Sequence, residues 1–119
     1  MNAIQNTSPA TQSTIQAIEA MACIDGLYLI RPKGDNMRPT IGADDLAGIE
    51  PCERFRDDGL YLLDKGNYPP AIYRIGSATT GKLWVINDNP AYPSHTVEPH
   101  QIRIIGQVKE LFKIERKAV

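Results

Sequence analysis

Cysteine is nearly absent from this chain. Its 119 residues hold two, Cys23 and Cys52, too few for a disulfide framework or a cysteine-built zinc site. Reduced, buried thiols are the expectation. Long hydrophobic runs are missing as well: none approaches the roughly 20 apolar residues a spanning helix needs, so no membrane contact is predicted. The N-terminus lacks the charged-then-apolar order of an export signal, which makes the cytoplasm the expected compartment. Charge of one sign is also lacking. Thirteen Lys and Arg stand against fourteen Asp and Glu, a formal net charge of −1, so no global basic field draws the chain to nucleic acid or to a membrane surface. The length allows one domain with a real core.

What is present falls into two parts. Residues 1–25 are an arm: polar and rich in Ser, Thr, Asn and Gln up to residue 13, then Ile15, Ile18, Met21 and Ala22 at helical spacing. Ser13 or Thr14 is a suitable cap, so the spacing predicts a short helix over 14–22, ended by Asp25-Gly26. From residue 26 to 119 the period changes. Leu27-Tyr28-Leu29-Ile30, Leu46-Ala47-Gly48-Ile49, Leu60-Tyr61-Leu62-Leu63, Ala71-Ile72-Tyr73-Arg74-Ile75, Leu83-Trp84-Val85-Ile86 and the stretch 102–108 are short apolar or alternating runs. Turn signals separate them, among them Asp57-Asp58-Gly59, Lys65-Gly66-Asn67 and Thr80-Gly81. Short strands without helix-length patterns between them predict a mostly β domain. Residues 107–115 read as a terminal strand, mildly basic at its end.

The organising stretch is Gly34-Asp35-Asn36-Met37-Arg38-Pro39-Thr40-Ile41. Gly34 and Pro39 bracket a segment that is neither regular helix nor central strand, set between two apolar runs. A strand–turn–strand of this kind displays one side chain at the turn; equally, its Gly and Pro simply set backbone angles. Other candidates are weaker. His95 and His100 flank Glu98 in a Pro-punctuated loop with no third ligand evident, so no metal is expected. The paired aspartates 44–45 and 57–58 suit turns that satisfy local backbone donors. Trp84 suits a core or contact position, and Tyr68-Pro69-Pro70 a loop.

Several motifs in order resemble the C-terminal domain of the LexA, UmuD and phage-repressor family, a Ser/Lys self-cleaving peptidase-like fold. Gly34-Asp35-Asn36-Met37-Arg38-Pro39-Thr40-Ile41 is similar to the family's Gly-Asp-Ser-Met-x-Pro-Thr-Ile. Asp45-Leu46-Ala47-Gly48-Ile49-Glu50-Pro51 and Asp58-Gly59-Leu60-Tyr61-Leu62-Leu63 look like the strands that follow it. Ala71-Ile72-Tyr73-Arg74-Ile75 stands where the family has Val-Lys-Arg-Leu. Asn87-Asp88-Asn89-Pro90-Ala91-Tyr92-Pro93 and Ile104-Ile105-Gly106-Gln107-Val108 resemble the family's later motifs. The resemblance covers residues 26–110 and implies a β-clip type fold of short twisted strands.

Two departures bear on chemistry. Asn36 stands where the family has its serine nucleophile, and an amide nitrogen, its lone pair delocalised, does not replace an alkoxide. Tyr73 stands where the family has its lysine base; an ordinary phenol has a pKa of about 10, and burial raises it further. A one-residue shift would put Arg74 there, which does not deprotonate. Lys65 or Lys82, at turn ends, could approach from another strand, but an exposed lysine keeps its ordinary pKa and the nucleophile would still be missing. Nor is a scissile segment evident: about 35 residues precede Asn36, and Ala47-Gly48 lies in a predicted strand after the site. The resemblance therefore implies a catalytically degenerate member with no enzyme activity, no metal and no cofactor. Its degenerate cleft would comprise Asp35, Asn36, Met37, Pro39, Tyr73 and Arg74.

The role left by the resemblance is self-association. It implies a homodimer paired through C-terminal segments, at Ile102, Ile104, Val108, Glu110, Phe112 and Ile114, whose alternation suits an edge strand. The expected function is a non-cleaving dimerisation and regulatory domain of a phage- or prophage-type repressor, controlled by an antirepressor or other protein partner. DNA contact would pass through a helix-turn-helix domain that the arm is too short to hold. The alternatives are a serine-type self-cleaving peptidase with an unrecognised nucleophile (Ser77, Ser94 or Thr40), or a UmuD-like accessory to a polymerase in the SOS response.

Overall fold

The computed structural model describes residues 22–66 and 69–114. A two-residue turn opens it. Asp25 and Gly26 both take positive φ (52° and 80°), the left-handed pair that matches the right-handed twist of two flanking strands. Strands β1 (Ala22–Ile24) and β2 (Leu27–Ile30) therefore close as a hairpin, with Ile24 opposite Leu27. The chain then runs through β3 (Leu46–Pro51), β4 (Gly59–Asp64), β5 (Ala71–Ser77), β6 (Leu83–Ile86), β7 (His95–Val97) and β8 (Arg103–Phe112). All eight form one antiparallel sheet in the order β1-β2-β3-β8-β4-β5-β6-β7.

Strand β8 joins the two halves of the sheet. It pairs with β3 across residues 106–112 and with β4 across 103–107. Each ladder slips once, between Gly48 and Ile49 and between Leu62 and Leu63, and such bulges bend a strand and increase its twist. Two cores result. The first gathers Tyr28, Ile30, Met37, Ile41, Ala47, Ile49, Leu62, Ile72 and Ile105; the second gathers Cys52, Tyr61, Leu63, Ile75, Leu83, Val85, Val97 and Ile104. Sequence neighbours divide between them, Leu62 from Leu63 and Ile105 from Ile104. An apolar run without alternation is what a strand covered on both faces requires. Full burial of Leu62 or Leu63 stabilises the fold by about 1.5–3 kcal/mol each.

Gly106 is fixed by this junction. A Cβ there would lie 2.8 Å from the Glu50 carbonyl oxygen and closer still to the Ile49 side chain. Tyr61, fully buried, keeps its hydroxyl satisfied: it donates to the Asp57 carbonyl at 2.7 Å and accepts from the Arg56 and Asp57 amides at 3.1 and 3.2 Å. The loop before β4 is thereby folded back on the sheet.

The expected β domain is present, with corrections. The helix expected over 14–22 lies outside the described residues except for Ala22, which is in β1; the sheet thus begins before residue 26, and Asp25-Gly26 is a hairpin turn. The segments read as 102–108 and 107–115 are one strand, and β8 is interior to the sheet, not an edge strand, because β3 and β4 flank it. Cys52 is buried but Cys23 is exposed. Trp84 is also exposed, at 43%, opposite Gly76 and Thr96 on neighbouring strands.

Candidate functional site

The turn between β2 and β3 is built around two apolar anchors. Met37 and Ile41, each 3% exposed, plug into the first core. The Met37 carbonyl accepts from the Ile41 amide at 2.9 Å, and the Asp35 carbonyl from the Arg38 amide at 3.2 Å. The Arg38–Pro39 peptide is cis. Below the turn, Asp45 accepts from the Gly42 amide at 2.7 Å and from Lys113 at 2.6 Å. Lys113 first, then the Gly42 amide, hold its carboxyl below the usual carboxylate range.

With Met37 drawn inward, Asp35 and Asn36 face the loop that follows β6. The Asn36 carbonyl accepts from the Asn89 amide, and the Asp35 carbonyl from the Asn89 side chain, both at 3.0 Å. Tyr92 donates to the Asp35 carboxylate at 2.5 Å, which raises the phenol's pKa because ionising it would set two anions together. Thr40 donates to Asp88 at 2.5 Å. Asp88 also receives a two-pronged contact from Arg74 of β5, at 2.8 and 2.7 Å. Arg74 first, with help from Thr40, holds the Asp88 carboxyl below its ordinary range. The three motifs that stand far apart in the sequence, 34–41, 71–75 and 87–93, meet at one place.

At their centre is the Asn36 amide. Its nitrogen donates to the Ile72 carbonyl at 2.8 Å and to the Asn87 side-chain oxygen at 3.0 Å. Both hydrogens are engaged, which ties the turn to β5 and to the β6–β7 loop. On one side of Asn36 lies a polar pocket of about 440 Å³, lined by Asp35, Lys65, Tyr73, Asn87, Tyr92, Pro93 and His95. The Lys65 ammonium stands 5.0 Å from the centre of the Tyr73 ring, within cation–π range. Partial desolvation, then Lys65, lowers the pKa of His95. On the other side is a groove of about 530 Å³, floored by Met37, Ile41, Leu62 and Ile72 and walled by Arg31, Pro32, Lys33, Pro69 and Pro70.

Of the expected cleft residues, Asp35, Asn36 and Tyr73 line the polar pocket, while Met37 belongs to the groove and the core. Pro39 is exposed outside both, and Arg74 is held by Asp88. Sequence reasoning read Lys65 as a turn-end lysine, His95 as one of two loop histidines and Pro69-Pro70 as a loop, and did not set them at the site. The resemblance did set 71–75 beside the turn, and Lys65 and Pro69-Pro70 lie just before that segment. Among the alternative hydroxyls, Thr40 donates to Asp88 and Ser94 accepts from the Asn87 amide at 3.2 Å. Ser77 ends β5, where its amide bonds Asp58.

The C-terminal residues expected at a dimer contact separate into two groups. Ile104 is 7% exposed in the second core, Ile102 packs against that core, and Val108 packs against the first. These three are used within the protomer. Glu110, Phe112 and Ile114 are exposed.

The molecule is a mostly β domain, a single antiparallel sheet with one turn side chain, Asn36, set against the start of β5. The chain belongs to the peptidase S24-like family, whose model matches residues 2–109; this is the family of the LexA, UmuD and phage-repressor C-terminal domains. The match reaches well ahead of residue 26. No curated protein matches the chain significantly. Among the described residues no helix is long and apolar enough to cross a membrane.

Proposed function

We propose that this chain is a non-cleaving, self-associating regulatory domain of a phage- or prophage-type transcriptional repressor, controlled by a protein partner at the cleft around Asn36. The observation that carries this reading is the condition of Asn36. It stands at the displayed turn position, where an attacking hydroxyl would be required, and its amide is engaged by Ile72 and Asn87. Tyr73 stands on the facing strand, and a phenol is a poor base at neutral pH. Without cleavage, release of repression needs another input, and an intact cleft gives a partner a place to act.

Self-association would use the far end of β8. The β4 ladder stops at Gln107 while the β3 ladder continues to Phe112, so, among the described residues, 108–112 keep one open edge beside exposed Glu110, Phe112 and Ile114. A second copy pairing there would form a two-fold contact. DNA would be reached through a helix-turn-helix domain.

Two measurements test the reading. The parent chain and the Asn36→Ser, Tyr73→Lys double variant are incubated at alkaline pH with a peptide carrying an Ala-Gly bond and followed by intact mass. The expected result is an inert parent and a cleaving double variant; cleavage by the parent overturns the non-cleaving claim. Sedimentation at tens of micromolar should show a dimer, and a monomer throughout would overturn the association claim.

A further inference from the structure

The groove beside Met37 is built from rigid parts. Its floor is Met37, Ile41, Leu62 and Ile72, all buried members of the first core. Side chains packed to core density hold their positions, so the floor is a fixed apolar surface. Pro32, Pro69 and Pro70 form the walls. Their rings set φ, and they lose little freedom when a ligand is enclosed between them.

The charge of the groove is of one sign. Arg31 and Lys33, both exposed, line it on either side of Pro32, and no carboxylate lines it. Over the whole chain the charges nearly cancel, to −1. The cation excess here is therefore local, and charge complementarity favours an occupant with an anionic end.

The polar groups beside the floor are already engaged. The Asn36 amide donates to the Ile72 carbonyl and to Asn87, and the Asn36 carbonyl accepts from the Asn89 amide. Ile72 also pairs with Leu62 in the β4–β5 ladder. A polypeptide laid on this floor would need partners for its own amides and carbonyls, at a cost for each bond left unmade. A hydrocarbon chain needs none.

We propose that the groove binds a free single-chain anionic amphiphile. Its hydrocarbon chain lies on the floor of Met37, Leu62 and Ile72, and its carboxylate lies at Arg31 and Lys33. A cavity of about 530 Å³ falls among small-molecule sites, which span roughly 300–1,000 Å³ and join an apolar lining to a few orienting polar groups. Burial of the chain supplies affinity. The guanidinium, whose planar fork matches a carboxylate, supplies orientation. Such binding stands whether or not a protein acts at the cleft.

The test titrates the full chain with hexanoate, octanoate and decanoate below their micelle concentrations, followed by NMR. Each added methylene should tighten binding about fourfold. Signals of Ile30, Leu62 and Ile72 should shift. Decanoate with a nitroxide near its chain end should broaden Met37 and Leu62 and spare Trp84, which is exposed elsewhere on the sheet. Decanamide, the neutral counterpart, should bind about fivefold more weakly, the upper end for exposed charge pairs. Decyltrimethylammonium should be weaker still. Arg31→Gln together with Lys33→Gln should bind decanoate and decanamide alike and leave decanamide affinity unchanged. Both residues are exposed, so an unchanged amide spectrum elsewhere verifies that this variant folds.

Affinity that does not rise with chain length overturns the proposal, as does broadening centred on Trp84. Equal binding of decanoate and decanamide by the parent removes the anionic half of it, and a decanoate preference that survives the double substitution does the same. Attachment to phosphatidylglycerol vesicles without binding of monomeric decanoate would assign the groove to a lipid surface instead. Groove signals that move with protein concentration alone would assign it to a second copy of the chain. No binding of any probe also sinks the idea. None of these outcomes alters the cleavage and sedimentation results, which test the regulatory reading separately.

Discussion

Leu62 and Leu63 are adjacent on β4, both essentially buried, at 1% and 0% exposure, yet they belong to different cores and answer to different parts of the molecule. The first core contains Met37 and Ile41 from the displayed turn, and its surface is the floor of the groove. The second core contains no residue of that turn; it is closed by β6, β7 and the loop before β4. Position at the site is therefore coupled to the packing of the first core. The second core contributes mainly to holding the sheet together. Two side chains of similar burial thus differ in what they support, and burial alone does not reveal which residues govern function.

The largest test of this contrast is a pair of truncations. Leu62→Ala and Leu63→Ala should each destabilise the fold by about 2–5 kcal/mol, as large-to-small changes in a packed core do. Leu62 should fall toward the lower end, since it borders an open groove that can relax into the space. Chemical denaturation measures the stabilities, and amide spectra read the site. Leu63→Ala should leave the signals of Asn36 and Tyr73 in place, while Leu62→Ala should move them. Equal movement in both would break the contrast and make the sheet a single mechanical unit.

How much of this was legible in the sequence follows from which signals are local. The runs at 27–30 and 83–86 became β2 and β6 with the expected ends, because turn residues bound both closely. The site turn was also legible, since Gly34 and Pro39 mark it and Met37 and Ile41 are apolar in an otherwise polar segment. What failed depended on partners distant in sequence. The alternation at 102–114 cannot say that β8 lies between β3 and β4, and Asp25-Gly26 ends a helix as readily as it makes a hairpin turn. The place of Lys65 was undecided for a similar reason: it reads as a lysine at a turn end, and nothing near Asp64-Lys65-Gly66 announces that the turn between β4 and β5 brings the ammonium over Tyr73.

A smaller effect is expected where the two halves are pinned together at the site. Arg74 on β5 holds Asp88, which also holds Thr40 of the turn. Arg74→Ala should cost about 1 kcal/mol, a modest figure because the guanidinium is 41% exposed. The pH dependence is more diagnostic. A carboxyl whose folded pKa is depressed contributes stability above its unfolded pKa, and that contribution is lost as pH falls through the folded value. For Asp88 the loss should come in acid, below the ordinary carboxylate range. Arg74→Ala removes the main cause of the depression and leaves Thr40, so the acid loss should be smaller and complete at higher pH. Acid unfolding curves for parent and variant that are parallel, differing only by a constant offset, would show that Asp88 is not the group responsible.

The smallest effect concerns how the second half reaches the site at all. It does so through His95 on β7 and Lys65 after β4, which meet in the polar pocket. Desolvation, then the Lys65 charge, holds the His95 pKa below that of an ordinary histidine. Lys65→Ala should raise it while leaving it short of the ordinary value, because the desolvation remains. The sign for stability follows. A histidine with a depressed folded pKa binds protons more readily when unfolded, so stability declines as pH falls through its unfolded pKa and levels off below the folded one. Lys65→Ala should shrink that decline. Titration of the His95 ring signal by NMR measures the shift directly. A ring that titrates identically in both proteins would mean that Lys65 does not share the pocket with His95, and the cationic side of the cleft would then have to be redrawn.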